Sequence, residues 1–157
     1  MCRPTYVYVR SPPHVCHSAD ALASPLLSDD HAFGMVGRYY AALNTEDEAP
    51  MSDMLVEDWI GCGPAAGPDG MAADLVFDLI DGNRAGMCDT PFFVEDVHVS
   101  NDVVTVIGLM TGTHTGGLLG IPASRREVAF TSVAVHRVED GRIAEPWITS
   151  DHLKLLQ

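Results

Sequence analysis

Basic side chains are scarce: nine lysines and arginines face 22 aspartates and glutamates over 157 residues, a formal net charge of −13. Binding to a nucleic-acid backbone needs clustered Lys and Arg to displace counterions, so this balance argues against such a partner. It also disfavours docking on an anionic membrane surface. No apolar run approaches the ~20 residues that span a bilayer, and the start of the chain lacks the continuous apolar stretch of a secretory signal. Cysteine is sparse as well. Cys2, Cys16, Cys62 and Cys88 show no paired spacing, which predicts a reduced, cytoplasmic protein. His14-Val15-Cys16-His17 has the residue types of a soft-metal cluster, but a structural zinc takes about four ligands and no complementary pair lies nearby. No metal site is expected.

The 46% apolar content is enough to fill one core at this length. Residues 1–27, with Pro4, Pro12, Pro13 and Pro25 and no helical period, read as a mobile N-terminal extension; residues 28–157 read as the domain. Ser28 is a good N-cap, and Asp29 and Asp30 follow it at the positive end of the macrodipole. Phe33, Val36, Tyr40 and Leu43 then recur on one helical face, until Asn44 and Glu46-Asp47-Glu48 end the helix. A short turn of helix from Met51 to Leu55 leads into a strand at Glu57-Asp58-Trp59-Ile60. Gly63-Pro64 and Gly67-Pro68-Asp69-Gly70 form a loop. Met71, Leu75, Val76 and Leu79 make a second amphipathic helix, stopped near Gly82.

The remainder reads as a β-meander. Phe92 to Val99 pairs with Val103 to Leu109 across a reversal at Asn101-Asp102, and Val128 to Val138 is joined to Ile143 to Ile148 through Asp140-Gly141. An Asp-Gly pair between branched runs is a strong hairpin signal, because both central turn residues need φ > 0. Helices first and strands afterwards predict an α+β domain with the helices packed on one face of the sheet.

Gly112-Thr113-His114-Thr115-Gly116 ends one strand, and Gly120-Ile121-Pro122 follows. Arg137-Val138-Glu139-Asp140-Gly141-Arg142-Ile143, then Glu145-Pro146-Trp147 and Asp151, complete the C-terminal half. This layout resembles the SnoaL-like polyketide cyclases of the nuclear transport factor 2-like superfamily, over about residues 29–155. The resemblance implies a cone-shaped α+β barrel, a curved, mixed or antiparallel sheet wrapped around the N-terminal helices. It also implies an apolar pocket for a hydrophobic polyketide-like molecule, no cofactor, and a homodimer formed through the outer face of the sheet, for which Val106, Val133 and Val135 are candidates.

Ring closure by aldol chemistry needs a base to remove an activated proton and an acid to receive the alkoxide charge. The family keeps these three residues before the Arg of R-V-x-D-G and directly after the Trp of E-x-W. Ala134 and Ile148 occupy those positions here, and neither transfers a proton. A third pocket residue of the family falls near Cys62, which reads more naturally as a small core hydrophobe than as a thiol acid.

Three polar candidates for catalysis remain: His114 by motif, Asp151 by the same resemblance, and Tyr40 as a phenol able to orient a carbonyl. His114 has an equal structural reading, tying the GTHTG segment to a neighbouring strand. Ser132 and His136 share the pocket-facing side of Ala134 by alternation, provided no bulge intervenes. Trp59, Cys62, Ser132, Ala134, His136, Trp147 and Ile148 are the expected substrate contacts, whereas Glu145 reads as a sheet-fixing acid. The function implied is a cofactor-independent cyclase of natural-product biosynthesis that works by holding its substrate in a reactive conformer. Two alternatives stay open: an epoxide-opening cyclase or hydrolase using Asp151 with His114 or Tyr40, and a non-catalytic carrier of a hydrophobic metabolite.

Overall fold

The computed structural model describes residues 28–45, 48–63 and 69–156. The N-terminal extension, the His14–His17 cluster and most of the glycine-proline loop lie outside them. Ser28 caps the first helix, accepting the His31 backbone N–H on its Oγ at 3.4 Å, and α1 runs Asp29–Thr45. Its buried face is made by Ala32, Met35, Val36, Tyr39, Tyr40 and Ala42. Phe33 is a correction: it stands half exposed, at 50 %. At the far end of α1 the Asn44 carboxamide donates to the Phe92 carbonyl at 3.0 Å and accepts the Phe92 N–H at 2.8 Å. A side chain thus substitutes for a strand partner and fixes the helix to the sheet.

A short helix α2, Glu48–Asp53, comes slightly earlier than its sequence suggests, and α3 spans Ala73–Gly86. That second correction has a simple cause. A glycine inside a helix costs only about 1 kcal/mol relative to alanine, so Gly82 is carried through. The side chains of Leu75, Val76 and Leu79 lie outside the described set.

Five strands follow: β1 Met87–Cys88, β2 Phe92–Ser100, β3 Val103–His114, β4 Glu127–Glu139 and β5 Arg142–Ser150, then a 3-10 helix over His152–Leu156. All pairings are antiparallel, with β4 between β3 and β5, and with β1 and β2 sharing the other edge of β3. Asn101 turns β2 into β3 at φ 57°. Asp140 and Gly141 turn β4 into β5 at φ 48° and 77°, the paired left-handed conformation that an Asp-Gly hairpin requires.

Glu57–Ile60 is not a strand, a third correction. The segment instead runs irregularly alongside β5 in the parallel sense, bridging Leu55 to Ile143 and Cys62 to Trp147. Its amides at Val56, Ile60 and Cys62 donate to the carbonyls of Ile143, Ala144 and Pro146 at 3.1, 3.2 and 2.8 Å.

Alternation along β4 turns Phe130, Ser132, Ala134, His136 and Val138 inward. Opposite them on β3 stand Met110, Gly108, Val106 and Val104, so Val106 is a core residue and not part of the outer face. On β5 an extra residue, Ala144, sits between the Val138↔Ile143 and Arg137↔Glu145 pairs. Such a bulge bends the strand and shifts its alternation by one. Ile143 faces inward before it and Pro146 and Ile148 after it, while Trp147 faces out. A second bulge interrupts β2 between Val94 and Asp96. The main core gathers the inner face of α1, Met51, Leu55 and Trp59 over Phe92, Val104, Val106, Val138 and Ile143.

Candidate active site

The helices do not fill the inner face of the sheet completely. Between them lies a cavity of about 270 Å³. Its floor is the inward row of the sheet: Met110 on β3, Phe130, Ser132 and Ala134 on β4, and Pro146, Ile148 and Ser150 on β5. Tyr39, Tyr40 and Leu43 of α1 and Ile80 and Arg84 of α3 close other sides, with Trp59, Cys62 and Phe92 completing the wall. Aliphatic and aromatic groups dominate, so a bound molecule would shed water over most of its surface, the setting in which a few polar contacts fix orientation.

Ala134 and Ile148 are cross-strand partners and both line the cavity. No proton can be exchanged from either. The polar groups lie around them. Ser150 Oγ donates to Ser132 Oγ at 2.9 Å, and Ser132 Oγ to the Thr149 carbonyl at 3.3 Å.

Tyr40 Oη is 3.1 Å from His136 Nε2. Its ring stacks on Phe92 at 4.5 Å between centroids. Burial holds the Tyr40 phenol well above its ordinary range, with the neighbouring Tyr39 adding to the effect, and pushes Tyr39 itself up to about 12. His136 is buried, and burial lowers its pKa to about 4. The ring is therefore neutral at physiological pH. It stands behind Tyr40 and outside the cavity lining, so its route to a substrate is through the phenol.

Tyr40, Trp59, Cys62, Ser132, Ala134 and Ile148 all line the cavity, as their sequence positions suggest. Four candidates do not. Trp147 is 53 % exposed on the opposite side of β5, because the bulge at Ala144 turns it out. Asp151 is solvent-exposed and held by its backbone N–H to the Thr131 carbonyl at 3.0 Å. His114 is fully buried elsewhere, with Nδ1 3.2 Å from Ser124 Oγ and its backbone bonded to Arg125 and Arg126. It fastens the end of β3 to the loop before β4. His136, as described, lies behind Tyr40. Cys62 is disulfide-bonded, which removes it as a thiol acid or nucleophile and departs from the expectation of fully reduced cysteines. Cys88 is a free, exposed thiol. Glu145 does fix the sheet, accepting from Arg137 at 2.8 Å.

Among the lining residues that the sequence reading does not name are His152 and Arg84. His152 reaches the cavity from the 3-10 helix, its ring centroid 5.1 Å from that of Phe130. Burial lowers its pKa, and Asp151 acts in the opposite direction. The signal for it was present: inward alternation through Pro146, Ile148 and Ser150 leads on to residue 152 and leaves 151 outside. Arg84 has no such signal, since its place depends on how α3 docks. Its guanidinium donates to Asp81 Oδ1 at 3.3 Å and to the Leu43 carbonyl.

No described helix is long and apolar enough to cross a membrane. No curated protein sequence matches the chain. Solved structures of similar fold include IdmH of Streptomyces antibioticus, with 24% identity, a TM-score of 0.72 and coverage of 80% of this chain and 95% of that one. TsrD of Streptomyces laurentii gives 23%, 0.70, 82% and 94%, and AclR of Streptomyces galilaeus 20%, 0.72, 82% and 80%. At these identities the likeness establishes the nuclear transport factor 2-like α+β fold. The family model for SnoaL-like polyketide cyclases matches residues 34–157, and the chain belongs to that family.

Proposed function

We propose that this protein is a cofactor-independent cyclase that closes a ring within a polyketide-like substrate mainly by holding it in a reactive conformer. The observation that carries this reading is the Ala134–Ile148 pair on the cavity floor. Where the family resemblance implies a base and an acid, this chain offers two aliphatic surfaces. Orientation alone lowers the barrier of a well-aligned intramolecular reaction by up to ~7–11 kcal/mol. A pericyclic closure, or an addition assisted by one or two hydrogen bonds, asks for no more than such a cavity and the phenol of Tyr40. The epoxide-opening alternative loses its support, because Asp151 and His114 do not lie with Tyr40 on the cavity wall.

The same aliphatic pair favours one second reading, a carrier that binds a hydrophobic metabolite without converting it. Incubation with linear polyketide-type substrates separates the two. A cyclised product formed faster than in buffer supports the cyclase, whereas saturable binding with no product leaves the carrier. We further propose a homodimer paired through the outer face of the sheet, where Trp147 is exposed beside Val133 and Val135. Light scattering on the wild type and a Trp147→Glu variant tests it; a monomeric wild type refutes it.

A further inference from the structure

The direction of the hydrogen bonds between the two serines of the cavity floor is fixed by their protons. Ser132 and Ser150 are cross-strand partners on β4 and β5, and both line the cavity. Ser132 Oγ lies 3.3 Å from the Thr149 carbonyl and 2.9 Å from Ser150 Oγ. A carbonyl only accepts, and each hydroxyl carries a single proton. With Ser132 donating to Thr149, the Ser150 proton goes to Ser132, and two bonds form. The reverse order spends the Ser132 proton on Ser150 and leaves the carbonyl contact without a hydrogen. Two bonds outweigh one where little water competes.

The consequence lies at Ser150. Its proton is committed to the wall, while both lone pairs of its oxygen stay open. Among the described residues no other group donates to that oxygen. Ser132 is buried at 5 % exposure, whereas Ser150 is only partly buried, so Ser150 is the hydroxyl that an occupant meets. The floor beside it, Phe130, Ala134, Pro146 and Ile148, offers no side-chain acceptor.

We infer that Ser150 Oγ is a binding subsite for a neutral hydrogen-bond donor, a hydroxyl group carried on an apolar skeleton, with Ser132 as the positioning residue that fixes its polarity. An oxygen with lone pairs and no spare proton answers donors and gives nothing to acceptors. An ammonium group would also donate, but one neutral oxygen in a largely apolar cavity does not offset the cost of burying a charge. The inference deepens the cyclase reading, and rests on it only in taking the natural occupant to be a substrate.

The test measures binding to the full chain and needs no turnover. Three probes share one ring system: 2-naphthol, which donates; 2-methoxynaphthalene, which only accepts; and 2-ethylnaphthalene, which does neither. Each affinity is read relative to the ethyl probe in the same protein, so that changes in cavity shape or folding cancel. Ser150→Ala should weaken 2-naphthol by about five- to tenfold and leave 2-methoxynaphthalene unchanged. Ser132→Ala frees the Ser150 proton, and 2-methoxynaphthalene should then gain severalfold over its wild-type value, which a merely structural role for Ser132 does not produce. Failure of 2-naphthol to bind, an affinity for it indifferent to Ser150→Ala, or a loss of 2-methoxynaphthalene as large as that of 2-naphthol overturns the proposal. A protein that shows the expected pattern but forms no ring retains the subsite and loses only the cyclase reading.

Discussion

Ala134 and Ile148 meet across β4 and β5 on the floor of the cavity. Methyl and sec-butyl groups there set the space left for a substrate. Ala134→Phe should therefore abolish turnover by steric exclusion, with far-ultraviolet circular dichroism unchanged and a stability loss of about 1–3 kcal/mol from overpacking. An active Ala134→Phe enzyme would place the reaction elsewhere.

His152 is the imidazole in contact with the cavity, and burial lowers its pKa, so it is a competent base in principle. If orientation dominates, His152→Gln should slow turnover by no more than ~10- to 100-fold, the scale of one lost hydrogen bond. Asp151→Asn should do less. A fall of about four orders of magnitude in kcat for His152→Gln, with binding preserved, would identify a true proton-transfer residue.

His136 makes stability depend on acid. Its folded pKa of about 4 lies below the unfolded value of about 6.5. Above the unfolded value the ring is neutral in both states. As pH falls from there toward 4 the unfolded chain takes up a proton that the native state refuses, so stability drops by up to roughly 3 kcal/mol. Urea denaturation of His136→Gln across this window should show a shallower decline than the wild type. An identical decline would assign the acid sensitivity to other groups.

Gly108 shapes the cavity without lining it. A Cβ at this position would stand 2.1 Å from Phe92 Cζ and 2.9 Å from the Phe93 carbonyl oxygen. Gly108→Ala should cost about 1–3 kcal/mol in urea denaturation. It should also weaken substrate binding, since a displaced Phe92 ring no longer supports the face of Tyr40. Wild-type stability would mean that Phe92 has room to move.

His114 offers a contrast. Its ring is buried against Ser124, away from the cavity. His114→Ala should lower the melting temperature while leaving kcat within about threefold, a change in barrier of roughly 0.7 kcal/mol. A large loss of kcat at unchanged stability would return His114 to the reaction.

The meander from β2 to β5, both hairpin turns and the inward row of β4 were legible in the sequence, because they follow from local rules, whereas the two-residue strand β1 was not. Asp140-Gly141 can hardly form another turn, and side chains alternate wherever pairing is regular. The failures lie where a distant partner decides. Phe33 has the right spacing for the helical stripe, yet α1 buries its Ala32–Met35–Tyr39 side and leaves Phe33 half exposed. Glu57–Ile60 has strand-like neighbours but pairs only irregularly with β5. Trp147 and Asp151 were placed in the pocket by motif, whereas the alternation beyond Ile148 brings His152 to the cavity instead.

Ala144 thus decides what the cavity contains. Were β5 to pair with β4 without the bulge, holding Ile143 opposite Val138, every later residue would advance by one. Glu145 would then stand opposite His136, and Trp147 opposite Ala134, giving a carboxylate and an indole in place of proline and isoleucine. Arg137 opposes that slip, gripping Glu139 and Glu145 together on the outer face. The observed register thus keeps the Glu145 carboxylate on the outer face with Arg137 and leaves proline and isoleucine to line the cavity.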